Sequence, residues 1–374
     1  MPAQPAPIPP SPARPTSTLA PAASPTPARP SPSPLPRPSP TLPAPTVAAG
    51  PLIIDGLQAT RILGTTLLGR TFYAVTPGGL YLTDDSGTTW TLITARVEQD
   101  DFIFGPADPA ALYAGTGRSC SRQEPDQPLF KSNDAGFSWA RLPAGANLRP
   151  AAVDPRDSDQ AYAIGCDGPY LTTDGGATWA RLPGAAFERG HENQPYYVLT
   201  TIALSPADPA AVYAGGATEG GQGGVFVRAG SPVTWTQIAS GTAQPDLLWI
   251  TALEVAARDA RRVFFTEAHG VWRSDDGGAT WQMADAGLAG VVYRSGGSLE
   301  QAGLNGLSLD AEGGQLFLGT RRGLYHSQDG GVTWAKITGG PWGDDETVIE
   351  VHLTSATPAR LYVTTLTGVY TDAP

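Results

Sequence analysis

The sequence is short of the residues from which enzyme sites and nucleic-acid interfaces are usually built. Its 374 residues include two cysteines, two methionines and four histidines. Cys120 and Cys166, with His191, His269, His326 and His352 scattered along the chain, show no metal-ligand spacing, so no metal and no other cofactor is expected. Basic residues number 24 against 35 acidic ones, a formal charge of −11. That balance argues against nucleic acid or an anionic membrane as a partner. No apolar run approaches the roughly 18 residues that read as a membrane span, and no apolar stretch after Met1 reads as a secretion signal.

The first fifty residues hold 18 of the 37 prolines, three arginines and no acid. Such a stretch cannot bury a core, so residues 1–50 are expected to form a disordered, semi-rigid spacer. Removing its three arginines from the total of −11 leaves −14 on residues 51–374, which are expected to fold as one domain. Spacers of this composition often hold an exported domain away from a membrane or wall. An exported or cell-surface location is therefore expected, one reading being that the true start, with a signal or anchor, lies upstream; a cytoplasmic protein with a disordered tail is the alternative.

What the chain does have is self-similarity, which takes precedence over local motifs. Thr83-Asp84-Asp85-Ser86-Gly87-Thr88-Thr89-Trp90 recurs as Ser132 to Trp139, Thr172 to Trp179, Ser274 to Trp281 and Ser327 to Trp334. The common form is Ser/Thr-x-Asp-x-Gly-x-Ser/Thr-Trp. A sixth copy, Arg228 to Trp235, keeps Thr234 and Trp235 but has Gly230 in place of the aspartate. Each octet separates two short apolar strands, so it reads as a hairpin turn. Asp85, Asp134, Asp174, Asp276 and Asp329 are expected to accept backbone N–H bonds there. Trp90, Trp139, Trp179, Trp281 and Trp334 are expected to pack between neighbouring sheets. An aspartate repeated around a ring cannot converge on one substrate, so these residues are read as structural and no catalytic residue is assigned.

The octet resembles the Asp-box, or BNR repeat, of sialidases, sortilin-type receptors, xyloglucanases and photosystem II assembly factors. The resemblance covers residues 51–374 and implies a β-propeller. A second recurring element, Ile202 to Gly215, echoes Phe104 to Gly115 as strand, Pro-bracketed turn, strand. Each repeat therefore has four strands, at the spacing of propeller blades. The octet tryptophans mark six blades, and three further strands follow near 348–353, 361–365 and 368–371. Leu52-Ile53-Ile54 would supply the missing outer strand. The expectation is an all-β, seven-bladed β-propeller of four-stranded antiparallel blades, its last blade closed by an N-terminal strand. A six-bladed ring with a tail is the alternative.

In such a ring the octets lie on one face, and the blade connections and second-to-third-strand loops on the other. The latter is the face free to vary. Its candidate contacts are Arg118 and Arg122 in blade two, and Glu188, Arg189, His191 and Tyr197 between blades three and four. Trp249, His269, Tyr293, Arg294, Arg321, Arg322 and Trp342 complete the set. Cys120 and Cys166 fall in equivalent loops of adjacent blades and can form a disulfide, which would mark an oxidising compartment.

The function expected is a non-catalytic, monomeric scaffold that binds a protein or a cell-surface glycan on the loop-rich face. The alternative is a glycoside hydrolase. The sialidase resemblance implies an early arginine motif, but Arg141-Leu142-Pro143 and Arg181-Leu182-Pro183 both follow octets on outer strands. The xyloglucanase resemblance implies two facing rings, and this chain supplies one.

Overall fold

The computed structural model describes residues 49–65, 70–94, 102–104, 108–115, 127–184, 187, 197–218, 221–229, 234–240, 248–292, 303–354 and 359–372. These form seven four-stranded antiparallel sheets and one two-stranded hairpin. Among them no helix is long and apolar enough to cross a membrane.

Blades one to six each run inner to outer in chain order, starting at Arg61, Phe102, Arg149, Tyr197, Ala252 and Leu304. Blade seven has Val348–Leu353, Leu361–Thr365 and Gly368–Asp372, then the N-terminal strand Ala49–Pro51 on its outer edge. The ring therefore closes with a strand from the start of the chain, three residues earlier than Leu52-Ile53-Ile54. The reason is an Asp-Gly hairpin signal. Asp55 and Gly56 sit at φ 50° and 78° and fold Ile53–Ile54 back onto Leu57–Gln58.

The octets are stapled turns with one bonding pattern. In the first, Thr83 Oγ1 donates to Asp85 Oδ1 (2.8 Å) and accepts from Gly87 N–H (2.8 Å). Thr89 N–H donates to Oδ1 (2.8 Å) and its hydroxyl to Oδ2 (2.7 Å). The same four bonds recur around Asp134, Asp174, Asp276 and Asp329. The octet glycine needs its freedom, since Gly87, Gly136, Gly176, Gly278 and Gly331 all have φ between 82° and 93°.

The core is a set of wedges between blades rather than one central mass. Octet tryptophans enter the wedge shared with the preceding blade. The Trp281 indole donates to Ile238 O of blade four (2.9 Å) and meets Phe265 edge-on at 4.7 Å. The Trp334 indole donates to Ala284 O (2.8 Å). Blade seven has no octet, and Trp342 is buried in its wedge with blade six, among Phe317, Val348 and Val363.

Candidate functional site

Alternating strand direction puts the octets and the first-to-second-strand turns on one face. Backbone bonds within each of the five blades with an intact octet tie these together, as in Gly175 N–H to Asp159 O (3.0 Å) and Gly277 N–H to Arg261 O (2.8 Å). Tyrosines near the start of the second strands reach across to the next blade on that face. Tyr73 donates to Pro109 O (2.9 Å), Tyr113 to Ser158 O (3.0 Å) and Tyr213 to Ala260 O (3.1 Å). Blade five has Phe264 at this position, and arginines take over. Arg273, buried, grips Asp275 with two nitrogens and donates to Gly330 O of blade six (2.9 Å).

The opposite face carries the second-to-third-strand turns, and here a second short repeat appears. Thr76, Thr320 and Thr365 each accept the N–H two residues on (3.0, 3.0 and 3.1 Å), and a glycine follows. Gly79, Gly323 and Gly368 take φ of 136°, 100° and 139°. In blade five Glu267 replaces the threonine. Its carboxylate is fully buried, accepting His269 N–H (2.9 Å) and the Trp272 indole (3.0 Å), with His269 Nδ1 at 2.9 Å. His269 is thereby held as part of a turn staple.

The remaining candidates separate by exposure. Arg321 and Arg322 stand exposed at the tip of the blade-six turn. Trp249 is 47% exposed, its indole beside Gly221 of the blade-four turn. Leu366 at the blade-seven turn is 74% exposed. Tyr197 and Trp342 are corrected from contact residues to core residues, each 4% exposed. Tyr197 packs edge-on against Phe226 at 5.0 Å and accepts a bond from Gln237 Nε2 (3.0 Å). Trp342 fills the wedge that lacks an octet tryptophan. Arg118, Arg122, Glu188, Arg189, His191, Tyr293 and Arg294 lie outside the described residues. Cys166 is disulfide-bonded; Cys120, the chain's other cysteine, also lies outside them.

Sequence reasoning missed the charged groups on the inner strands. Arg61 of blade one pairs with Glu350 of blade seven (3.2 Å), and His352 Nε2 lies 3.9 Å from the other oxygen of Glu350. Desolvation pushes the Glu350 carboxyl up, but His352 and Arg61 outweigh it and hold it below its ordinary value. Glu254, on the inner strand of blade five, has its carboxyl pushed up to about 7 by desolvation. These four groups fall on blades one, five and seven without a repeat, so they carry no periodic signal and the octet pattern did not reveal them.

No family model matches the sequence, and no curated protein matches it. Solved structures share its fold. YCF48 bound to D1 peptide is 18% identical over 84% of this chain and 93% of that chain, with a TM-score of 0.52. The Swd1 β-propeller domain from Myceliophteria thermophila is 13% identical over 87% of this chain and 100% of that chain, with a TM-score of 0.56. A GH74 xyloglucanase from Xanthomonas campestris is 17% identical over 85% of this chain and 60% of that chain. Its TM-score of 0.43 is too low to bear on chemistry.

Proposed function

We propose that this propeller is a non-catalytic scaffold that binds a protein segment through its loop-rich face, and that its octets are Asp-boxes serving the ring. The observation that carries the reading is a division of labour on that face. The buried carboxylate of Glu267 and the half-buried imidazole of His269 are held in stapling a turn. The exposed side chains, Arg321, Arg322, Trp249 and Leu366, are those suited to contact. Arginine and tryptophan are enriched among residues that dominate binding energy. The similar ring of YCF48 bound to a peptide supports the choice of a protein segment over a glycan. An exported or cell-surface location belongs to this reading, supported by the disulfide at Cys166.

The test screens the full chain against displayed peptides and a glycan array, with fluorogenic sialosides and β-glucans assayed alongside. Peptide binding without turnover is expected, about tenfold weaker in the Arg321→Ala/Arg322→Ala variant, as loss of about 1.4 kcal/mol requires. The variant's Tm should be unchanged. Glycan binding alone would reassign the ligand. Turnover abolished by mutating a carboxylate of the loop-rich face would make the protein a glycosidase.

A further inference from the structure

The outer strand of a blade ends its sheet, and its outward N–H and C=O groups form a template for another chain. Among the described residues, five of the seven outer strands are blunted. Ala180–Arg181, Gln282–Met283 and Ala335–Lys336 have two residues each. Ala140–Leu142 has three, with Arg141 among them, and Ala49–Pro51 has three and ends in proline. Thr91–Thr94 has four described residues, uncharged and without proline. Short length, a basic side chain and proline are the usual protections of an edge.

Blade four departs from all of them. Its outer strand, Thr234–Ser240, has seven residues and reads Thr-Trp-Thr-Gln-Ile-Ala-Ser, with no charge and no proline. It terminates its sheet, and none of the described strands pairs with its outer edge. The decayed octet lies in the same blade, so the turn that rigidly sets the outer strand elsewhere lacks its aspartate here. Trp235 anchors the strand inward, edge-on to Phe187 at 5.5 Å, while Thr234 and Thr236 are exposed. At the far end the carbonyl of Ile238 is already taken by the Trp281 indole (2.9 Å). Among the described residues, nothing else bonds to the outer edge of Thr234–Gln237.

We infer that this edge is a second binding site, which takes an extended, uncharged protein segment as a fifth strand of blade four. Main-chain bonds supply affinity in such pairing, and cross-strand side chains supply preference. Thr234 and Thr236 favour β-branched or aromatic neighbours. A second copy of the chain is the poorer occupant. A seven-residue edge is about 20 Å long and about 10 Å deep. Edge-to-edge pairing then buries roughly 400 Å² in total, well short of the roughly 1,200 Å² at which stable protein interfaces begin. A flexible single strand, unlike a rigid second ring, can follow the twist of the edge and lay its side chains over both faces of the sheet, so main-chain bonds and side-chain contacts carry it.

The site lies apart from the Arg321–Arg322 turn, so the two readings can fail separately. The probes are random peptides displayed on phage and selected on the full chain. Beside any peptides that need Arg321 and Arg322, a separate class of selected peptides is expected to slow amide exchange at Thr234–Gln237. They should bind a Thr234→Lys/Thr236→Lys variant about tenfold more weakly, a loss of about 1.4 kcal/mol, and bind the Arg321→Ala/Arg322→Ala variant as tightly as wild type. The exchange footprint on the natural chain decides if the lysine variant fails to fold. Failure to select any peptide would overturn the proposal, as would a selection in which every peptide leaves exchange at 234–237 unchanged. Self-association of the natural chain that the lysine variant abolishes would also overturn it, by making a second copy the occupant.

Discussion

Asp174 shows what one residue of the octet contributes. Its carboxylate accepts the Thr178 hydroxyl (2.6 Å), the Thr178 N–H (2.9 Å) and the Thr172 hydroxyl (2.8 Å). These bonds, the Thr178 hydroxyl first, lower its pKa from 3.8 to about 2. Asp85 also falls to about 2, because the bonds from Thr89, Thr83 and Thr88 outweigh a desolvation that pushes it up. Each folded pKa is depressed, so the stabilisation is present above the ordinary carboxylate range and is lost as pH falls through about 2. Asp174→Asn keeps an acceptor for Thr178 N–H but loses the charge and one acceptor. Its Tm should lie below that of the natural chain at neutral pH, and the gap should shrink as the pH is lowered from 4 towards 2 in scanning calorimetry, as expected from about two units of separation between the two states. A gap independent of pH would show that the ionised carboxylate adds nothing.

At the scale of elements, strands are joined into blades by the octet, and blades into a ring by tyrosines and arginines. Tyr213 donates to Ala260 O of the next blade, and its hydroxyl is pushed up to about 12, by desolvation first and then by Asp208, Asp259 and Asp276. Tyr213→Phe removes that bond and keeps the ring. It should destabilise the protein by about 1 kcal/mol, read as a lower urea midpoint with an unchanged slope. No change in midpoint would assign the tyrosine to packing alone. The blades were legible because the octet Ser/Thr, Asp, Gly and Trp perform the same bonds five times, so periodicity itself carried the information. The tyrosine bridges were visible as Leu-Tyr-Ala and Val-Tyr-Ala but carried no role, because their acceptors are main-chain carbonyls roughly 45 residues away in the adjacent blade. Trp342 misled because a tryptophan in a connection looks like a contact residue until the missing seventh octet is seen to leave a wedge unfilled.

At the scale of the whole molecule, the ring is only as sound as its seam. Ala49–Pro51 completes blade seven, and the hairpin that follows sends alternate side chains to opposite sides. Leu52 and Ile54 join Ile62, Phe72, Tyr362 and Val369 in the wedge between blades seven and one. Ile53 and Leu57 point outward, 51% and 38% exposed. Main-chain bonds from Leu52 N–H to Val369 O (2.8 Å) and from Val369 N–H to Ala59 O (2.8 Å) hold the segment against the last described strand of the chain. The Arg61–Glu350 pair spans the same seam. Because this wedge draws on both ends of the fold, loosening it exposes two blades at once. Ile54→Ala should cost about 3 kcal/mol, the usual loss for a buried isoleucine truncated to alanine. Ile53→Ala, one residue away on the exposed side, should stay within about 0.5 kcal/mol of the natural chain. Urea titration of the two variants side by side checks this. Equal losses would mean that the hairpin does not face the wedge in solution, and that the ring closes through blade seven's own strands.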